Sequence, residues 1–461
     1  MAYRQHPQGS RQAREDPGIN RSHRLSKHAL GAIDKKIMAF FAFAGFLWLI
    51  APSLQAVLPV RYVSPNSGDL YGPLRFREDG TFQISIFEDL HFGENAWDSW
   101  GPQQDINSVR VMNHILDIES PGLVVLNGDL ITGENTFKEN STTYIDQIVG
   151  PLVERNLTWA STYGNHDSDF NITREGILSR EKLWPNSRTT SMVPDPNSGV
   201  TNYYLPVYPA NCSLASAAAA QCAPGLILWF FDSRGGHLYQ ELDADGNMVG
   251  MQNWVDTSVV NWFQQTNAQL TQRHGGVIPS LAFVHIPTNA SQAIQTEAGV
   301  DPSLQPGIND DYILAAQGQG WCADGITNDG SCDYGGQDVP FMQAITTTKG
   351  LMAVFSGHDH GDTWCYKWEG VWPGMTVAGN GLNLCFGQHS GYGGYGNWIR
   401  GSRQVLVLEA SLEQYPSTRL TGRTHTQRRQ MTRHIVRPVT IHDYIAGCRG
   451  SNRLYLNILV C

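Results

Sequence analysis

Charge is sparse in this chain, and positive charge is nearly missing from its centre. Charged residues make up 16% of the 461, below the roughly 25% typical of globular proteins. The formal net charge is −10. Residues 1–36 carry eight Lys/Arg against Glu15, Asp16 and Asp34, and residues 411–461 carry eight Arg against Glu413 and Asp443. With +5 and +6 at the two ends, the residues between them hold −21. A body that acidic is a poor non-specific polyanion binder, which argues against a nucleic-acid scaffold. An anionic substrate would need local positive charge, and bound metal ions are one source of it. Two nucleophile and phosphate motifs are also missing. No Gly-Lys-Ser/Thr follows the glycine runs, so there is no phosphate-cradling P-loop, and no Gly-x-Ser-x-Gly elbow supports a serine hydrolase. Internal repeats are absent as well.

Long apolar runs are scarce too. Lys35 and Lys36 precede "IMAFFAFAGFLWLIA", about fifteen uncharged residues, then Pro52, Ser53 and Gln55. That is the length of a signal-peptide core and short for a membrane span unless the helix continues to Val60. Ala56 closes "SLQA", an acceptable small-residue cleavage site. Residues 1–58 therefore read as a basic arm plus a signal peptide or an uncleaved signal anchor. Met38 as the true start would make the arm a gene-model artefact. The body is expected in the secretory pathway, secreted or lumenal, with membrane attachment only in the anchor reading. Five Asn-x-Ser/Thr sequons, at Asn140, Asn156, Asn171, Asn211 and Asn289, agree with that, since chance gives about two or three. Six of the eight cysteines fall into close pairs, Cys212 with Cys222, Cys322 with Cys332 and Cys365 with Cys385. Each pair is able to close a local disulfide.

From Thr81 onward, strand-like and helical patterns alternate. "FQISIF" reads as a buried strand, and Ile106, Val109, Met112 and Leu116 then recur at helical spacing. "LVVLN", the helix-like "TYIDQIVGPLVE" and the strand "TWASTY" follow. "LILWFF", "SLAFVH", "LMAVFS" and "QVLVLE" are further strands, and Val259, Phe263 and Leu270 mark another helix. This order argues for an α/β domain over residues 59–410. Segments 185–224 and 286–338 read as surface excursions from it. "GQHSGYGGYGNW" is a loop bordering a pocket or a hairpin turn. Residues 411–461 form a basic tail without lysine or periodicity, either disordered or mistranslated intron.

Metal-ligand residue types stand at the ends of five of these strands. "FQISIF" is followed by "EDLHFG" with Asp89 and His91, "LVVLN" by "GDLITG" with Asp129, and "TWASTY" by "GNHD" with Asn165, His166 and Asp167. "SLAFV" ends in His285, and "LMAVFS" runs into "GHDH" with His358, Asp359 and His360. Sites in α/β sheets gather outside the carboxyl ends of strands. Each motif alone is ambiguous, because "GD" is usually a turn and an Asn in a loop tolerates left-handed geometry. Their joint occurrence, each after an apolar run, is what points to a metal site.

The order Asp-x-His, Gly-Asp, Gly-Asn-His-Asp, His, Gly-His-x-His resembles the calcineurin-like metallophosphoesterase superfamily over roughly Phe82 to Glu409. "DLHFG", "NGDLITGEN", "GNHD" and "GYGGYG" with "RGSR" look like the fungal and plant branch related to purple acid phosphatases. One departure stands out: where true purple acid phosphatases carry an iron-binding tyrosine, this chain has Thr132, so a tyrosinate-iron centre is not expected. The resemblance implies two packed mixed β-sheets flanked by helices, an α/β/β/α sandwich. It also implies a pair of divalent or mixed-valence ions (Mn, Fe or Zn). Asp89, His91 and His360 would hold the first ion, Asn165, His285 and His358 the second, and Asp129 would bridge them. His166 would protonate the leaving oxygen or bind phosphate, while Asp167 and Asp359 would orient imidazoles from outside.

The implied reaction is metal-dependent phosphoester hydrolysis, favouring monoesters, in which a metal-bridging hydroxide attacks phosphorus with help from His166. A phosphodiesterase acting on nucleotide or lipid head-group esters is the alternative enzyme. A non-catalytic secreted binding glycoprotein with the same fold is the alternative of another class, and the intact donor set argues against it.

Overall fold

The computed structural model describes residues 72–212, 222–309, 318–322 and 332–412, together with a strand at Ile441–Ala446. The N-terminal arm with its apolar segment, Cys448, Cys461 and the rest of the tail lie outside the described residues.

In chain order the elements begin with β1 (Thr81–Phe87), α1 (Trp100–Ile118), β2 (Leu123–Asn127), α2 (Tyr144–Glu154), β3 (Trp159–Thr162), α3 (Arg174–Glu181) and β4 (Tyr203–Val207). They continue with β5 (Leu226–Phe231), β6 (His237–Leu242), β7 (Met248–Gly250), α4 (Thr257–His274), β8 (Ser280–Val284) and α5 (Asn289–Thr296). Last come α6 (Val339–Thr347), β9 (Leu351–Ser356), β10 (Cys365–Gly370), β11 (Gly379–Phe386), β12 (Ser402–Leu408), α7 (Glu409–Leu412) and β13 (Ile441–Ala446). One sheet has the order β13-β12-β1-β2-β3 and the other β10-β11-β9-β8-β5-β4, while β6 and β7 pair separately. Both are mixed: β1, β2 and β3 run parallel with β12 antiparallel, and β5, β8, β9 and β11 run parallel with β4 and β10 antiparallel.

The two-residue period of a strand sorts the core into layers. Phe82, Ile84 and Ile86 of β1 and Leu123 and Val125 of β2 meet Leu226, Leu228, Phe230, Leu281, Phe283 and Phe355 between the sheets. The alternate residues Phe87, Val124 and Leu126 pack with Met112, Ile115, Ile145 and Ile148 from α1 and α2. On the other side Trp229 and Phe231 pack with Val259, Phe263, Phe341 and Ile345 from α4 and α6. The result is the α/β/β/α arrangement expected from the sequence, and it brings the carboxyl ends of β1–β3 and of β8–β9 together.

Several details differ from the pattern reading. Ile106 is exposed, and the first half of α1 turns Asp105 and Ser108 inward instead. These two side chains accept the backbone N–H groups of Gly93 and Tyr392, so this half of the helix supports loops rather than the sheet. The strands β4, β10 and β11 carry no clear periodic signal; β4 and β10 are sheet edges, where one-sided pairing relaxes the demand for alternating apolar residues. Segments 185–224 and 286–338 contribute β4 and α5. The tail also contributes a strand, since β13 pairs antiparallel with β12.

Cys212–Cys222, Cys322–Cys332 and Cys365–Cys385 are all disulfide-bonded, the last directly opposite one another across β10 and β11. Three such bonds point toward an oxidising, secretory compartment. Among the described residues no helix is long and apolar enough to cross a membrane. Of the sequons, Asn140, Asn156 and Asn211 are exposed. Asn289 is only 7% exposed at the start of α5, which leaves no room for a glycan on the folded chain. The Asn171 amide nitrogen is already committed to Thr136 O at 3.0 Å.

Candidate metal centre

The loops after the strands are bent sharply enough to aim side chains inward. Asp89, His91, Asp129 and His358 all adopt left-handed backbone, with φ of 52°, 49°, 48° and 75°. For residues with a Cβ this costs about 1–3 kcal/mol each and persists only where surrounding structure enforces it. Close approach requires glycine here: a Cβ on Gly128 would lie 2.4 Å from the His285 ring, and one on Gly164 would lie 2.2 Å from Asp129 Oδ1.

Two buried groups of donors result. Asp89, His91 and His360 offer atoms that all lie within 4.8 Å of one another, and so do Asp129, His285 and His358. Asp129 stands between the groups: its Oδ2 is 2.9 Å from His285 Nε2 and 3.8 Å from His91 Nε2. Asp89 Oδ1 is likewise 3.5 Å from His360 Nε2 and 3.8 Å from His285 Nε2. Asn165 turns a buried Oδ1 that has no hydrogen-bond partner among the described residues, and His285 Nε2 also lacks hydrogen-bond geometry despite its short approach to Asp129.

The outward nitrogens of three imidazoles are tied down. His285 Nδ1 donates to Asn127 O at 2.8 Å and His360 Nδ1 to Tyr395 O at 2.9 Å, while His91 Nδ1 lies 3.0 Å from Thr132 Oγ1. Donation from Nδ1 to a carbonyl in His285 and His360 leaves Nε2 facing inward, the tautomer a metal ligand needs, and the Thr132 hydroxyl can accept from His91 in the same way. The residues present therefore fit a pair of metal ions, judged by donor type, by orphaned atoms and by fixed tautomers.

Electrostatics agree. Burial opposes ionisation of Asp129, but the charges of His285 and His166 outweigh it and hold the carboxyl well below its usual range. Asp89 is likewise lowered, with burial opposed by His360 and His285. Burial pushes His91 well down and His358 down to about 3, so both are neutral ligands at any ordinary pH. His285 is raised to about 9, because Asp129 and Asp89 overcome the burial penalty. The pocket thus attracts positive charge, and without a metal a proton takes that place.

The remaining expected residues sit as follows. The His166 backbone N–H donates to Asp129 Oδ1 at 2.8 Å, and its ring lies 5.0 Å from that of His91. Asp167 touches no imidazole: its carboxylate accepts the backbone N–H groups of Leu130, Ile131 and Gly164 at 2.9, 3.0 and 2.8 Å. Its role differs from the expected orientation of an imidazole, since it staples the "GDLI" and "GNHD" loops together. Asp359 reaches His360 indirectly, accepting the Tyr395 hydroxyl at 3.3 Å.

Sequence reasoning missed several neighbours. Glu134 Oε1 lies 2.9 Å from His166 Nδ1; Glu134 is part of "NGDLITGEN" but carries no signal of its own. Tyr395, from the Gly/Tyr-rich segment, stacks on His360 with ring centroids 4.0 Å apart and planes within 7°. That segment is a loop bordering the site, not a hairpin turn. His237, which has no motif around it, lies 2.7 Å from Asp169 Oδ1.

A sequence model of the calcineurin-like phosphoesterase family matches residues 84–362. Among curated relatives, "Probable inactive purple acid phosphatase 28" of Arabidopsis thaliana is 28% identical, over 74% of this chain and 78% of its own. "Phosphatase DCR2" of Saccharomyces cerevisiae is 24% identical over 73% of this chain and 52% of its own. Among solved structures, a dimetal phosphatase from Danio rerio aligns with 70% of this chain and 95% of its own at a TM-score of 0.40 and 12% identity.

Proposed function

This chain belongs to the calcineurin-like phosphoesterase family, and from that premise we propose that it is an active phosphomonoesterase with a dinuclear metal centre, working in the secretory pathway or outside the cell. Residues 59–410 make up the catalytic domain in this reading. The observation that carries it is the pair of buried donor groups with Asp129 between them.

Asp89, His91 and His360 would hold one ion, Asn165, His285 and His358 the other, and Asp129 both. Two bound ions would supply charge neutralisation for the ester oxygens and an acidified water as nucleophile. The protein's own groups do the rest. Glu134 holds His166 at Nδ1, which leaves Nε2 to deliver a proton to the departing oxygen. The ring keeps its proton for this role. Burial lowers its pKa, but Glu134 and Asp129 raise it further, so His166 stays protonated well above the ordinary histidine range. Burial of Asp89 and Asp129 keeps competing water away from the carboxylates. Thr132, in place of a tyrosine, removes a colouring ligand but leaves three donors in that group. The word "inactive" in the name of the Arabidopsis relative is set against a donor at every strand end here. The three disulfides support a secretory location.

Metal analysis of the purified protein, alongside turnover of aryl phosphomonoester and bis-aryl phosphodiester substrates, tests this reading. About two ions per chain and monoester preference are expected, with loss of both ions in Asp129→Asn. His166→Ala should lose roughly 10²–10⁴-fold in rate. A metal-free protein, or unchanged turnover in both variants, would overturn the proposal, and a clear diester preference would replace its substrate.

A further inference from the structure

Beside the proposed dinuclear centre lies a second constellation, which shares His166 with its chemistry but holds none of its metal donors. Glu134 Oε1 is 2.9 Å and Asp169 Oδ2 is 4.0 Å from His166 Nδ1, and the three donors all lie within 4.8 Å of one another. We infer that Glu134, His166 and Asp169 form a separate site for a divalent transition-metal ion, whose filling inhibits the enzyme. The inhibitory consequence rests on the proposed role of His166; the site itself does not.

Bonds of about 2.0–2.2 Å to a tetrahedral ion set its donors roughly 3.3–3.6 Å apart. The two separations from His166 Nδ1 bracket that range, and the two carboxylate donors lie within 4.8 Å of each other. One imidazole and two carboxylates make a nitrogen/oxygen set suited to zinc or manganese rather than to calcium. Glu134 Oε2 is buried and has no hydrogen-bond partner among the described residues. A buried acceptor left unmatched costs about 1–3 kcal/mol, and a cation on this carboxylate would remove that cost.

The surroundings hold the donors in place before any ion arrives. Asp169 Oδ1 accepts His237 Nδ1 at 2.7 Å and the Phe170 N–H at 2.9 Å, which turns Oδ2 toward His166. A histidine behind a carboxylate is the kind of outer partner that fixes ligands in metal sites. Backbone bonds from Gly133 to His166 O at 3.0 Å and from Ile172 to Asp169 O at 2.7 Å clamp the loops. Solvent reaches the site, because the side chains of His166 and Glu134 are 31% and 24% exposed.

An ion here takes His166 Nδ1 and Glu134 Oε1 as ligands, so the 2.9 Å contact that positions the ring for the leaving oxygen is lost. Esters with poor leaving groups suffer most. Zinc therefore activates as the dinuclear centre fills and inhibits as the third site fills.

The test is to dialyse the full-length protein against rising zinc and count bound ions by mass spectrometry. Wild type should saturate one ion above Glu134→Gln and Asp169→Asn, two near-isosteric variants at different ligands. Equal counts in wild type and both variants would overturn the site. Asp129→Asn, measured in parallel, reads the dinuclear centre independently. It should keep the ion that Asp169→Asn loses, so failure of either reading is visible without the other. For the inhibition, high zinc should slow an alkyl phosphate at least about tenfold more than a nitrophenyl phosphate in wild type, and Asp169→Asn should abolish the difference. Equal inhibition of both substrates, or inhibition unchanged in Asp169→Asn, would overturn the proposed consequence.

Discussion

Nε2 of His91 and Nε2 of His360 face one another at 3.1 Å, although the two residues are 269 positions apart and follow strands of different sheets. Each ring has its Nδ1 beside an oxygen, Thr132 Oγ1 in one case and Tyr395 O in the other. A cation bound to both nitrogens would satisfy this close pair. His360→Ala should therefore release about one ion of the pair, read by metal analysis, and a variant keeping both ions would refute this assignment.

Thr132→Val removes only the hydroxyl beside His91 Nδ1. Loss of such an outer partner typically weakens metal affinity about 10–100-fold. Competition with a chelator should show that weakening, while the melting temperature changes little.

Asp167 is placed differently. Its carboxylate accepts three backbone N–H groups, and an amide in Asp167→Asn would set a donor against one of them. Leaving one buried donor unmatched costs about 1–3 kcal/mol. A lower urea midpoint is expected together with reduced activity, because Leu130 and Ile131 directly follow Asp129. An unchanged midpoint would contradict the staple.

In chelated, metal-free protein, His285 links stability to pH. Its pKa rises from an ordinary 6.5 to about 9 on folding, since Asp129 and Asp89 outweigh burial. A raised histidine stabilises fully below its unfolded pKa and loses that contribution as pH climbs through the folded value. The urea midpoint should fall between pH 6.5 and about 9 in the metal-free protein. His285→Gln should flatten the decline, and added metal should too, since the ion replaces the proton.

Glycosidase treatment of protein expressed through a secretory pathway should remove mass attached at Asn140, Asn156 or Asn211, which are exposed. Asn289→Gln should leave that mass shift unchanged, because Asn289 is buried.

Much of the fold is legible because its central strands are buried on both faces. β2, β5, β8 and β9 are fully apolar or nearly so, β1 alternates Phe82, Ile84 and Ile86 with Gln83 and Ser85, and such runs stand out without any alignment of neighbours. β10 and β11 are only partly buried, so their sequence carries weaker constraint. Ile106 misleads for the opposite reason: its spacing is helical, but the turn of α1 that carries it meets loop backbone through Asp105 instead of the sheet. In the centre, Asp89, His91, Asp129, His358 and His360 are visible through their motifs. Glu134, Asp169, His237 and Tyr395 are not, since each matters only through a neighbour from another segment.

The chain by itself determined which donors stand at each strand end and how they leave it. Gly128 before Asp129 takes a left-handed backbone and Gly357 before His358 leaves room for Asp89, and the apolar run preceding each motif places the turn at a buried strand terminus. Only the tertiary structure decided which donors come within reach of one another, which nitrogens of His285 and His360 face inward, and that Glu134 sits on His166. The physical reason is that the two donor groups draw on both sheets. Their separation is set by side chains filling the space between those sheets, Ile84 and Ile86 against Phe230, Phe283 and Phe355, and no local stretch of sequence encodes that distance.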